Sequence, residues 1–199
     1  MTVGILGGAF DPPHTGHVVL AREAVERFGL ERLVVLVVAE PAHKPVATPV
    51  ERRLELARAA FADVPGAEVV AEDHAYTVDF LRDSDLPRDA VFLIGADELV
   101  DFLTWREPEE VLRLVRLGVA TRPGSPREQL DGVLARVERP ERVELFPIPA
   151  VTASSTEVRA RVAAGEPIDD LVPPEVARLV VAQGLYHGGV DPRGRAKLR

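Results

Sequence analysis

Residues 33–39 read LVVLVVA, an unbroken apolar run dominated by valine. A strand with one face in water alternates apolar and polar positions. A run that is apolar at every position predicts a parallel strand buried on both faces. Outward from this run the chain alternates between strand and helix patterns. Upstream, Val3–Leu6 predicts a strand stopped by Gly7-Gly8. A helix follows, with Val18, Ala21, Val25 and Phe28 on one stripe and Gly29 as its C-cap. Downstream, Glu40–Pro49 carries three prolines and predicts a loop, and Glu51–Phe61 predicts an amphipathic helix with Leu54, Ala57 and Phe61 on one side. Short strands are predicted at Glu68–Ala71, Ala90–Ile94, Leu117–Thr121 and Val143–Phe146. The intervening helices are predicted to start within Tyr76–Leu81 and to span Pro108–Leu114 and Arg127–Val137.

Strand–helix alternation predicts βαβ units, right-handed crossovers and a mostly parallel sheet, an α/β fold. From Ser154 onward only helices are predicted: Thr156–Ala164, capped by Gly165, and Pro174–Gln183, followed by Gly184. The expected organisation is a single domain over 1–187. It has an α/β core at about 1–150, a helical part at about 154–187 and a flexible Gly- and Arg-rich tail at 188–199.

Composition narrows the function. The 199 residues include no cysteine, which removes disulfides, thiolate metal sites and cysteine nucleophiles. The net charge of −8 argues against a nucleic-acid partner, though a local cluster of donors can hold a small anion. No apolar run approaches a membrane span and no signal peptide is read at the N-terminus, so the expected location is cytoplasmic.

In an open parallel sheet, ligands sit beyond the carboxyl ends of the strands. The polar stretches that follow strands here are Gly7–His17, Pro41–Lys44, Gly95–Asp97 and Thr152–Arg159. The first reads GGAFDPPHTGH (residues 7–17). Gly7 and Gly8 let backbone N–H groups approach a ligand, and the loop then enters a helix whose N-terminal end favours an anion. His14 and His17 stand one turn apart, so both can donate to one phosphate chain. Gly16 keeps that side of the turn bare. The stretch lacks the lysine of G-x-x-x-x-G-K-[ST] and the spacing of G-x-G-x-x-G. Two histidines alone make an incomplete zinc site. The last stretch, SSTEVR (residues 154–159), opens as an S-x-x-E capping box. It offers more hydroxyls than a cap needs: Ser154, Ser155 and Thr156, with Arg159 on the same helix face as Thr156. Hydroxyls, exposed N–H groups and a guanidinium at one helix start describe a phosphate cradle, beside the alternative of a capped helix alone.

These stretches resemble the T/H-x-G-H and I-S-S-T-x-x-R signatures of the nucleotidyltransferases. Among them, the chain is similar to the bacterial nicotinate-nucleotide adenylyltransferases. PAHK (41–44), YTVD (76–79), FLIGAD (92–97) with Trp105, and LVPPE (171–175) with GLY (184–186) also resemble that family, in the same order. The resemblance implies a Rossmann-like doubly wound parallel sheet of the nucleotidyltransferase type. It also implies adenylyl transfer from ATP to nicotinate mononucleotide, with Mg2+ held mainly through the phosphates and no protein metal site assigned.

By the same resemblance His14, His17 and Arg159 are the catalytic residues. Gly7, Gly8, Ala9, Phe10, His43, Lys44, Gly95, Asp97, Ser154, Ser155 and Thr156 bind ATP and its phosphates. Thr77, Asp79 and Trp105 bind the pyridine nucleotide. His43 and Lys44 would form a phosphate-binding arm, Asp97 would accept from a ribose, and Trp105 would stack on the pyridine ring. The expected partners are these small molecules, with neither nucleic acid nor membrane, and the oligomeric state stays open. Alternatives are a nicotinamide mononucleotide or phosphopantetheine adenylyltransferase and a non-catalytic nucleotide sensor. The chain departs from the family at Ala9, where Thr or Ser is usual, at Ala153 for Ile, at Phe80 for Thr, and at Arg106 where an aromatic is frequent.

Overall fold

The computed structural model describes residues 1–42 and 46–187. The predicted tail and residues His43 and Lys44 lie outside the described residues. The elements run β1 (Val3–Gly8), α1 (Thr15–Phe28), β2 (Arg32–Val38), α2 (Val50–Phe61), β3 (Ala67–Glu72), α3 (Thr77–Asp83), β4 (Val91–Gly95) and α4 (Ala96–Asp101). They continue with α5 (Pro108–Leu114), β5 (Arg116–Thr121), α6 (Arg127–Leu134), β6 (Val143–Pro147), α7 (Ser155–Ala164) and α8 (Pro174–Ala182). The six strands form one sheet in the order β3-β2-β1-β4-β5-β6, and every neighbouring pair is parallel. None of the helices described is long and apolar enough to cross a membrane.

The run at 33–39 is apolar throughout because both of its faces are covered. Leu33, Val35 and Val37 enter a core shared with α1, α2, α7 and α8. Val34 and Leu36 enter the opposite core, built by α3, α4, α5 and α6. Gly29 and Gly165 take the left-handed conformation that ends α1 and α7 (φ 58° and 73°).

Two expectations are corrected. Gly7 and Gly8 do not stop β1; they pair with Leu36 and Val37 and carry it two residues further. A neighbouring strand that continues can hold glycine backbone as readily as any other. The short helix α4 has no counterpart in the sequence reading. At six residues it is too brief to display a 3.6-residue period.

The strand order reverses between β1 and β4. From β1 the chain winds outward through β2 and β3; from β4 it winds the other way through β5 and β6. At such a switch point the connecting loops part and leave a crevice beyond the strand ends.

Candidate active site

That crevice is a cleft of about 620 Å³. Its floor is the loop between β1 and α1. Phe10 adopts φ 47°, a left-handed conformation costly for a side-chain-bearing residue, and folds its ring back over Gly8. A Cβ at Gly8 would lie 3.0 Å from that ring. The ring is held in place edge-on to His17 (5.0 Å) and Phe61 (5.5 Å). At the start of α1 the His14 and His17 rings lie 3.7 Å apart, and a Cβ at Gly16 would meet the His14 ring at 3.0 Å. A side chain at position 16 would press on the His14 ring.

The backbone N–H of His14 donates to Nδ1 of His17 (3.2 Å). Nδ1 is therefore the acceptor, and the neutral ring carries its proton on Nε2 as a donor.

The second wall is the N-terminus of α7. Ser154 caps the helix, its Oγ accepting from Glu157 N–H (3.1 Å). Ser155 and Arg159 reach across to the first loop. Ser155 Oγ donates to the Pro12 carbonyl (2.8 Å), and Arg159 donates to the Asp11 carbonyl (2.6 Å) and to Thr156 Oγ1 (3.3 Å). Two motifs far apart in sequence are thus one constellation in space, and Thr15 ties the same corner to Leu171 (3.0 Å).

The third wall follows β4 and the start of α3. Gly95 is the N-cap of α4, its N–H donating to Glu98 Oε2 (2.9 Å). Asp97 pairs with Arg122 (3.1 Å) at the cleft edge. Trp105 is half-buried against Phe102 and Phe92, and with Tyr76, Thr77 and Arg106 it lines an adjoining cavity of about 560 Å³. All the described sequence-predicted residues line the cleft except Asp79. The Asp79 carboxylate turns to Arg106 (3.2 Å) and Arg82 (3.9 Å) instead. Pro41, Ala42 and Val46, which flank His43 and Lys44, also line it.

Comparison with known proteins shows the family and the fold. The cytidylyltransferase-like family profile matches residues 5–161. A probable nicotinate-nucleotide adenylyltransferase of Bordetella avium is 36% identical over 193 residues, covering 92% of this chain and 97% of that protein. One from Exiguobacterium sibiricum is 37% identical over 195 residues, covering 94% and 99%. The chain belongs to the nicotinate-nucleotide adenylyltransferase family. The same fold is seen in Plasmodium falciparum nicotinic acid mononucleotide adenylyltransferase complexed with NaAD. That structure has a TM-score of 0.74 at 18% identity and covers 93% of this chain and 97% of its own. A second structure of that protein, complexed with APC, gives a TM-score of 0.72 at 17% identity, covering 93% and 96%.

Set within this family of adenylyltransferases, the departures acquire surroundings. Ala9 contributes its carbonyl, which accepts from Arg53 (2.8 Å). Ala153 is buried beside Gly16, where its carbonyl approaches the first turn of α1. Arg106 lies over the Tyr76 ring (4.9 Å).

Sequence reasoning missed Arg53, Arg122 and Tyr186. Arg122 follows β5 directly, so the strand-end rule that marked the other loops would have found it. Tyr186 donates to buried Asp11 (2.7 Å). Burial, reinforced by that carboxylate, pushes the Tyr186 pKa well up, so the hydroxyl stays a donor. Among the described residues no group of three or more His, Cys, Asp or Glu side chains is placed to hold a metal ion. The donors gathered here, histidine, hydroxyls and guanidinium, suit phosphate oxygens.

Proposed function

We propose that this chain transfers the adenylyl group of ATP to nicotinate mononucleotide, forming nicotinate adenine dinucleotide and pyrophosphate, a step of NAD biosynthesis. The observation that carries this reading is the joining of the histidine pair and the α7 N-terminus through Asp11, Pro12, Ser155 and Arg159. Those donors surround one site large enough for a nucleotide.

A phosphate oxygen of the mononucleotide forms the new bond to the α-phosphorus. The bond from that phosphorus to the β,γ-pyrophosphate breaks in line. The attacking phosphate is already ionised, so no general base is required. Positioning and charge neutralisation then dominate the chemistry. His14 and His17 donate to the transferring α-phosphate and the departing pyrophosphate. The α7 N–H groups, with Ser155, Thr156 and Arg159, hold the β- and γ-phosphates, and Ser154 orders that turn. Gly7, Gly8, Ala9 and Phe10 bring backbone N–H groups close.

ATP arrives as its Mg2+ complex, the ion riding on phosphate oxygens as part of the substrate. His43 and Lys44 contribute further cationic donors to the phosphates. Gly95 and Asp97 border the nucleoside. Trp105 stacks on the pyridine ring, the start of α3 at Thr77 receives its carboxylate, and Asp79 orients that wall by holding Arg106. The absence of cysteine and the nature of both substrates support a cytoplasmic enzyme.

The test is pyrophosphate release from ATP and Mg2+ with nicotinate mononucleotide, nicotinamide mononucleotide or phosphopantetheine as acceptor. The highest kcat/KM is expected for the nicotinate form. No release with either pyridine nucleotide overturns the reading.

A further inference from the structure

Among the described residues Arg53, on α2, is the largest fully buried side chain, 1% exposed. Buried cations are ordinarily paired with carboxylates. Arg53 makes no ion pair with any described residue, and its hydrogen bonds go to main-chain carbonyls of three separate segments. Nη1 donates to Ala9 (2.8 Å) and to Val38 (2.7 Å), Nη2 to Ala39 (2.7 Å), and Nε to Thr48 (2.9 Å). Ala9 belongs to the phosphate-facing loop. Val38 and Ala39 precede His43 and Lys44 in the chain, and Thr48 follows them. One guanidinium therefore ties the floor of the cleft to the backbone at 38–39 and at 48.

The Ala9–Phe10 peptide is trans, so its N–H lies opposite the carbonyl that Arg53 engages. A charge-assisted bond to that carbonyl polarises the whole peptide and strengthens the N–H as a donor. Arg53 stays charged: burial lowers its pKa, Asp11 nearby opposes this, and a guanidinium does not deprotonate in proteins.

We propose that Arg53 is a positioning residue for the nucleotide phosphates. It couples the loop after β1 to the backbone at 38–39 and at 48, and it acts on the phosphates through the Ala9–Phe10 peptide. The proposal rests on the reading of this cleft as an ATP site.

The test is calorimetric titration of ATP with Mg2+, without the second substrate, into the wild-type chain, Arg53→Lys and Arg53→Ala. Lysine keeps the charge but gathers its donors on one nitrogen, which cannot span three segments. Folded Arg53→Lys is expected to bind ATP about tenfold or more weakly, since charge-assisted hydrogen bonds are lost. Its kcat is expected to fall on the order of 10²-fold through misplacement of the loop. The KM for the mononucleotide should hold, and millimolar guanidinium should restore part of the ATP binding of Arg53→Ala. The proposal is overturned if Arg53→Lys binds ATP like the wild type, or if both variants lose binding only in proportion to their unfolded fraction by circular dichroism. A wild-type chain that binds ATP but adenylates no pyridine nucleotide would defeat the proposed function and leave the role of Arg53 standing.

Discussion

Arg159 donates a 2.6 Å hydrogen bond to the main-chain carbonyl of Asp11, 148 residues earlier in the chain. That bond places the guanidinium at the junction of the β1–α1 loop and the start of α7. One of its arms also touches Thr156 Oγ1. Replacing Arg159 with Lys keeps a cation but loses the fork that contacts both partners. The variant should fold, because Arg159 is only half-buried, and kcat should fall on the order of 10²–10³-fold, as for loss of a preorganised donor. Pyrophosphate release per folded molecule is the measurement. Wild-type turnover in the variant would make the contact purely structural.

His17 yields a sharper comparison, because its ring orientation is set by the His14 N–H at Nδ1. The donor to phosphate in the proposed reaction is then Nε2–H. A glutamine amide reaches roughly where Nε2 sits, and an asparagine amide roughly where Nδ1 sits. His17→Gln should therefore retain more turnover than His17→Asn, with His17→Ala down on the order of 10²–10³-fold. All three should stay folded, with thermal midpoints lowered by about 2–4 °C where the bond from His14 N–H is lost. The reverse order of activity would mean that the reacting phosphates meet Nδ1.

Much of this arrangement is written in the chain, and the exceptions have physical causes. The sheet is legible because strands covered on both faces must be apolar at every position, as at 33–39. The loops that bear His14, His17, Gly95 and Arg159 are legible because a doubly wound sheet gathers its strand ends. Arg53 is not, since its partners are carbonyl oxygens, which every residue carries and no motif records. Its one signal is placement: it shares a helical stripe with Ala57 and Ala60, which are buried. A charge on that stripe must find polar partners inside. Asp79 reads as a pocket residue by pattern, yet in space it answers the charges of Arg106 and Arg82.

Tyr186 anchors the segment after α8 to the β1–α1 loop, through its bond to Asp11, which is 7% exposed. Removing the hydroxyl leaves a buried carboxylate without that donor. Tyr186→Phe should destabilise the protein by about 1–3 kcal/mol in urea unfolding. A double-mutant cycle with Asp11→Ala, which removes the acceptor, should show coupling of about 0.5 kcal/mol or more, as expected for groups in direct contact. Additive effects of the two changes would disprove the link.

His74 supplies the pH dependence. Nδ1 lies 2.6 Å from Glu72 and Nε2 lies 3.0 Å from Asp83, so only the doubly protonated ring satisfies both carboxylates. The bond to Glu72 first, and that to Asp83 second, raise its pKa above 6.5. A group whose pKa is raised by folding stabilises the folded state fully below its unfolded pKa. That stabilisation is lost as pH climbs through the folded value. His74→Gln should therefore cost most stability below about pH 6.5, and the gap to the wild type should narrow as pH rises beyond it. The side chain is 36% exposed, so solvent screening keeps the effect small. Urea midpoints of both proteins at about pH 6 and about pH 9 bracket the transition. A gap of the same size at the two values would show that His74 does not hold β3 to α3 through its charge.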